Sequence, residues 1–131
     1  MRILLALFSI FLLGSASAQE LLAQERWPDG TLKATRYSEG ERIHFITYHE
    51  NGRVKEMGTF RRGKRDGEWK QFTDTGALVA RAGFRNGERQ GSWEFRSTTD
   101  APLGRLVYSN GMLVKGEAFT ADGGLLAQRE Y

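Results

Sequence analysis

Cysteine is absent from the 131 residues and proline occurs only twice. Without cysteine no disulfide can reinforce the fold, so stability must come from packing and strand pairing. Pro28, in a WPDG turn, and Pro102, in a looser segment, leave every central strand unobstructed. An excess of one charge is missing too, because 19 basic side chains face 16 acidic ones. A chain so nearly neutral lacks the pronounced basic field of a nucleic-acid binder. Histidine is scarce, with only His44 and His49 present. Beyond residue 18, convincing helical spacing is absent as well.

The one long apolar run, Ile3–Leu13, follows Met1 and Arg2 and precedes Ala16-Ser17-Ala18. A basic start, a short apolar stretch and small residues at the cleavage positions predict a secretory signal peptide over 1–18, cleaved after Ala18. The run is shorter than the roughly 20 residues a membrane span needs. With no cysteine after it, a lipoprotein anchor is excluded. The expected product is periplasmic or secreted, begins near Gln19 and is not an integral membrane protein. Removing Arg2 with the leader leaves 18 basic against 16 acidic side chains, a net charge of +2.

What the chain does contain is a beat. Aromatic-x-x-glycine recurs as YSEG (37–40), FRRG (60–63), FRNG (84–87) and YSNG (108–111), with glycines 23, 24 and 24 residues apart. Self-similarity at this period marks a repeat architecture in which each unit buries its apolar side against its neighbours. A second beat lies between the first: YHENG (48–52), FTDTG (72–76) and FTADG (119–123), each glycine followed two residues later by Val54, Leu78 or Leu125. Gly30 with Leu32 and Gly104 with Leu106 repeat that glycine-x-aliphatic spacing.

Two turns per period and apolar runs of roughly 5–8 residues between Gly, Asn and Asp predict hairpin strands. The expected strands are 21–27, 31–37, 42–48, 53–60, 68–72, 77–84, 92–96, 105–108, 113–120 and 124–131. The fold class is all-β: an antiparallel meander of stacked hairpins in one open sheet over 19–131. Turn glycines Gly40, Gly63, Gly87 and Gly111 should hold positive φ. The stretch 97–103 breaks the beat and is expected to form a longer, looser loop. Phe60, Trp69, Phe72, Phe84, Trp93, Phe95 and Phe119 recur in register as the source of packing, each buried ring removing about 150–250 Å² from water.

The run Phe60-x-x-Gly63-x3-Gly67-x-Trp69-x2-Phe72-x3-Gly76-x-Leu78, repeated less completely from Phe84 through Gly91 and Trp93, resembles the MORN-variant repeat. Bacterial members of that family often carry the label YwqK-type antitoxin. The resemblance covers most of 27–131 and implies stacked β-hairpins that bind proteins, or membranes in some eukaryotic relatives, rather than catalyse. The chain departs from the family in two ways. A signal peptide does not match a cytoplasmic antitoxin, and Gly116 stands where the repeat tryptophan would, predicting a less well packed end.

Chemistry-bearing motifs are few. Asp74-Thr75-Gly76 spells the short aspartic-protease signature, but that mechanism needs two such carboxylates and one copy exists. The same repeat position reads HENG and TADG elsewhere, so a turn explains it. His44 and His49, five apart on one expected strand, point to opposite faces and make no metal site. No phosphate loop, nucleophile elbow or paired-histidine zinc motif occurs, and no cofactor is expected.

The most suggestive surface feature is basic. Arg61, Arg62, Lys64 and Arg65 surround Gly63, and Arg42, Arg85 and Arg89 occupy comparable turns, with Glu39, Glu41, Asp66 and Glu88 interleaved. A stacked meander would line these cations along one edge, giving an expected binding site of Arg61, Arg62, Lys64, Arg65, Arg85 and Arg89 for an anionic partner. In-register tryptophans also resemble the rings of cell-wall-binding modules, in which aromatic slots take choline or sugars. The function expected is an exported, non-enzymatic interaction module whose partner is another cell-envelope protein, bound through the sheet face and the basic edge. The alternative partner is a glycan or an anionic lipid head group. Outer strands with unpaired backbone groups would also permit strand addition.

Overall fold

A computed structural model describes residues 18–131, so the expected leader lies almost wholly outside the described residues. Ten main strands form the sheet: β1 (Gln19–Arg26), β2 (Leu32–Glu39), β3 (Arg42–Tyr48), β4 (Val54–Arg61), β6 (Gly67–Phe72), β7 (Leu78–Arg85), β9 (Gly91–Arg96), β10 (Pro102–Ser109), β11 (Met112–Phe119) and β12 (Leu125–Glu130). Two short pieces, β5 (Lys64–Arg65) and β8 (Glu88–Arg89), extend the hairpins that follow β4 and β7. All neighbours are antiparallel, in sequence order, within one open sheet. The expected all-β meander is the observed fold.

One set of turns repeats without interruption along one edge of the sheet. At each, the first residue's N–H reaches the carbonyl four residues on, and the fourth residue's N–H returns to the first residue's carbonyl. The pairs are Trp27 with Thr31 and Gly30, His49 with Arg53 and Gly52, Thr73 with Ala77 and Gly76, Ser97 with Ala101 and Asp100, and Thr120 with Gly124 and Gly123. The looser loop expected at 97–103 is therefore a correction. The segment is the same turn as its neighbours, with Asp100 at φ +64 where the others place glycine. Strand β10 begins at Pro102, the first position, where proline gives up no ladder bond, and Gly104 lies inside the strand and not at a turn. Asp tolerates the left-handed region better than most residues, which hid the turn from a glycine-based reading.

The opposite edge carries a second correction. Asn86-Gly87, Asn110-Gly111 and Arg62-Gly63 each hold two residues at positive φ, as two-residue hairpin loops of type I′ require. In the first hairpin Glu39 pairs with Arg42, so the loop is Gly40-Glu41, with glycine first. YSEG is thus out of phase by one residue with the other three beats. A shift of one residue moves a side chain to the other face of a strand. Tyr37 accordingly leaves the aromatic face and stacks on His44, with centroids 4.7 Å apart.

Six other rings form a ladder across one face. Phe45, Phe60, Trp69, Phe84, Trp93 and Tyr108 follow one another at centroid distances of 5.1–6.4 Å. Both central hairpins contain an extra residue pair after the turn, which interrupts pairing between Phe60↔Arg65 and Met57↔Lys70. Gly67 and Gly91, at φ +82 and +73, absorb this bulge. Across the bulge the Thr59 carbonyl accepts from Asp66 N–H and from Trp69 Nε1, and the Gly83 carbonyl accepts from Gln90 N–H and from Trp93 Nε1. The spacing Gly-x3-Gly-x-Trp is therefore the sequence of a bulge that turns an indole onto the face and satisfies its N–H. Among the described residues there is no second layer, and only Ala34, Trp69 and Tyr108 of the apolar side chains are buried.

The other face carries a charged row. Lys70, Arg81, Glu94, Arg105 and Glu117 lie on successive strands in pairing register. Arg105 donates Nε to Glu117 Oε1 at 3.1 Å and Nη2 to Oε2 at 3.2 Å. This two-point bond, against the cost of burial, holds the Glu117 carboxyl below the ordinary carboxylate range. A lowered value contributes stability that is present above the ordinary carboxyl pKa and lost as pH falls through the lowered one. Thermal melts at decreasing pH should show that loss, and Glu117→Gln should flatten the acid limb; an unchanged limb would assign acid sensitivity to other carboxylates.

Candidate functional site

The type I′ edge is built by turn-on-turn stacking. Gly87 N–H donates to the Arg65 carbonyl at 2.8 Å, and Gly111 N–H to the Arg89 carbonyl at 3.1 Å. Asn86 N–H reaches Asp66 Oδ1 and Asn110 N–H reaches Gln90 Oε1, both at 3.2 Å. The two residues just before each bulge glycine therefore brace the next turn, and this fixes the spacing of the edge cations.

Those cations have different surroundings. Arg61 Nη2 lies 3.1 Å from Glu41 Oε2 and Arg62 Nη2 lies 3.8 Å from Glu41 Oε1, so one carboxylate of the preceding turn faces both. Arg42 reaches Asp66 at 3.9 Å. The Lys64 stem lies along the next turn, near Gly87, and Arg85 is exposed. Arg65 and Arg89 behave differently, because their guanidinium groups lie over the aromatic ladder. Arg65 Cζ is 4.8 Å from the Trp69 centroid and 5.3 Å from that of Phe84; Arg89 Cζ is 5.6 Å from Trp93 and 5.5 Å from Tyr108. The six edge cations expected from sequence are thus resolved, among the described residues, into carboxylate-paired Arg61 and Arg62, ring-stacked Arg65 and Arg89, and Lys64 and Arg85, which are neither.

Arg65 and Arg89 remain exposed and have no carboxylate within ion-pair distance among the described residues. A guanidinium laid on a ring keeps its in-plane donors free while losing conformational freedom, so it is prepared for a planar anion. Arg36 adds a third such group, with Cζ 5.8 Å from the Phe45 centroid. Sequence reasoning missed Arg36, although its pairing opposite Phe45 follows from the hairpin register.

Beside Arg65 the aromatic face dips into a groove that follows β7. Ala80 and Ala82 form its floor on β7, with Trp69 and Gln71 on one side and Trp93 and Phe95 on the other, enclosing about 270 Å³. Glu56, hydrogen-bonded by Gln71 at 3.3 Å, is the carboxylate of this groove and lies away from Arg65, towards the opposite edge. Trp69 is only 6% exposed, so its ring is packing and not a sugar slot.

The residues that tempted a catalytic reading lie elsewhere. Asp74-Thr75-Gly76 is the exposed β6–β7 turn, where the Asp74 carbonyl accepts from Asn51 Nδ2 at 2.6 Å and Thr73 Oγ1 accepts from Ala77 N–H at 3.0 Å. His49 Nε2 lies 2.9 Å from the Phe72 carbonyl and joins adjacent turns. His44 contacts Thr59 Oγ1 through Nδ1 at 3.2 Å beneath Tyr37. Among the described residues no group of three His, Cys, Asp or Glu side chains is placed to hold a metal.

No family model matches the chain, and no curated protein matches it. Two solved structures are similar to it over part of their length. One is a mutant of S. aureus TarM in complex with fondaparinux, alpha-GlcNAc-glycerol and UDP, with 9% identity, a TM-score of 0.47 and coverage of 73% of this chain. The other is TarM itself, with 8% identity, a TM-score of 0.43 and coverage of 86%. In both cases the chain spans 21% of the other protein's length.

Proposed function

We propose that the protein is an exported, non-enzymatic interaction module that binds another protein of the cell envelope through its aromatic face and the adjoining basic turn edge. The observation that carries this reading is the pair Arg65 and Arg89, held on the rings of Trp69, Phe84, Trp93 and Tyr108 beside an open groove. Ring-stacked arginine is what a protein interface uses where an aromatic and a charge must act together. Membership of the MORN-variant repeats belongs to the same proposal and is supported by the hairpin period and the glycine-bulge-tryptophan spacing. Export is supported by residues 1–18 of the sequence.

The burial of Trp69 and the bonding of both indole N–H groups to backbone favour protein over sugar as the partner. In-cell crosslinking with mass spectrometry tests the reading. Arg65→Glu with Arg89→Glu should remove one reproducible protein partner, while Arg26→Ala at the first strand should retain it. An unchanged set of crosslinked proteins in the charge-reversed variant would overturn the proposal.

A further inference from the structure

Followed strand by strand through the pairing register, the charged row ends at Gln24 on β1 and at Gln128 on β12. The two ends also share a sequence. Leu21-Leu22-Ala23-Gln24 on one edge is matched by Leu125-Leu126-Ala127-Gln128 on the other. Of the main strands described, only β1 and β12 are exposed at every residue, and neither holds the lysine or proline that commonly blocks an edge.

Along an antiparallel strand the N–H and C=O of successive residues point alternately to one side and the other. Tyr131 N–H bonds inwards to the Val114 carbonyl at 3.1 Å, so Gln128 turns its own backbone groups outwards. At the other edge Trp27 N–H bonds inwards to Thr31 at 2.8 Å, and Gln24 likewise faces out. Ten alternating strands leave β1 and β12 running in opposite directions. A second copy displaced along the sheet therefore sets its β1 antiparallel beside β12, with its aromatic face on the same side.

Continuing the row brings Gln128 opposite Gln24 of the next copy, Ala127 opposite Glu25 and Arg129 opposite Ala23. Arg129 and Glu25 then become diagonal neighbours on the aromatic face, about 7–8 Å apart and within reach of long side chains. Neither has an ion-pair partner among the described residues. Twofold pairings in the same glutamine register lack this match. β12 against β12 makes Arg129 diagonal to its own copy, β1 against β1 does the same to Glu25, and like charges weaken both. The register slips at Leu22, so the match extends over Ala23–Arg26 and Leu126–Arg129.

We propose that copies of this chain associate head to tail, β12 of one adding to β1 of the next, in an open ribbon with a continuous aromatic face. An interface between two different edges, repeated by a screw along the sheet, does not close, so growth continues past two copies. The contact uses only the edges and leaves the aromatic face free for another protein.

Sedimentation velocity of the purified protein over a concentration series provides the test. The weight-average mass should rise past that of a dimer, and electron microscopy of the same samples should show ribbons. Gln128→Pro, which removes only an outward N–H from an exposed edge, should stay monomeric with a native thermal melt. Arg129→Glu and Glu25→Arg should each weaken association about ten-fold, as one cross-strand attraction becomes a repulsion. Mixed in equal amounts, these two variants should regain the native mass series, because each then meets an oppositely charged edge on both sides.

A protein that remains monomeric up to millimolar concentration would overturn the proposal. Growth that stops at two copies would also overturn it and assign a twofold pairing. Undiminished growth of Gln128→Pro and of both charge variants would place the contact on a face of the sheet instead. Loss in the single variants without recovery in the mixture would overturn the pairing of Arg129 with Glu25, and the head-to-tail register with it.

Discussion

Trp69→Ala is expected to lower the unfolding free energy by about 3–5 kcal/mol, a large part of the roughly 5–15 kcal/mol that holds a domain of ordinary stability. The sheet has no second layer, so its apolar stabilisation is concentrated in the ladder. Trp69 is the most deeply buried of its rings. It meets Phe60 edge-on at 5.2 Å, Phe84 at 6.3 Å and Phe45 at 6.4 Å, so three strands lose contacts when it is removed. A buried ring of this size removes about 150–250 Å² from water, equivalent to roughly 4–6 kcal/mol before entropy is counted. Loss of the indole leaves no orphaned acceptor, because the Thr59 carbonyl still receives Asp66 N–H at 2.9 Å. The cost is therefore almost wholly apolar. Urea unfolding followed by circular dichroism should show it, with a smaller loss for the half-buried Trp93→Ala. A loss below about 1 kcal/mol at Trp69 would mean that strand pairing, and not the ladder, holds the sheet.

The fold was legible because glycine spacing and strand length are local properties. Gly63, Gly87 and Gly111 sit at φ +76, +86 and +80, and nine of the ten expected strands match observed ones to within two residues at either end. Where the reading failed, a substitute residue or a phase shift was responsible. Asp100 takes the place of a turn glycine, and Pro102 opens a strand, so the fourth turn of its set looked like a loop. Gly40 is the first and not the second residue of its turn, a difference of one position that sends Tyr37 to the wrong face for a ladder. The candidate site was less legible for another reason. Sequence places Arg61, Arg62, Lys64, Arg65, Arg85 and Arg89 on one edge, but the partner of each cation depends on residues about one repeat away. Glu41 neutralises Arg61 and Arg62 across 20 or more positions, whereas Phe84 receives Arg65 from 19. Charge counting treats these arginines alike; only the stacked geometry separates them.

The equivalence of the two central hairpins also makes Gly58 a sharp probe of the ladder. Gly58 and Ala82 occupy the same position one repeat apart, beside Trp69 and Trp93. A Cβ at Gly58 would fall within the Trp69 ring, so the indole lies flat against this strand only because the side chain is missing. In the next hairpin the Ala82 methyl is present, and its tryptophan stands differently. The Phe60–Trp69 planes meet at 90°, the Phe84–Trp93 planes at 59°, with nearly the same centroid separation. Gly58→Ala should therefore roll Trp69 towards the posture of Trp93, at the low end of the roughly 1–3 kcal/mol typical of overpacking. Gly58→Val adds two further methyl groups beside the ring, and a loss at the upper end, about 3 kcal/mol, is expected. Tryptophan emission distinguishes this account from simple strand weakening. Displacing Trp69 into water should shift the folded protein's emission to the red in Gly58→Val, and Ala82→Gly should shift it to the blue as Trp93 settles onto its strand. If Gly58→Val lost stability with no change in folded-state emission, the glycine would be needed by the backbone and not by the ring.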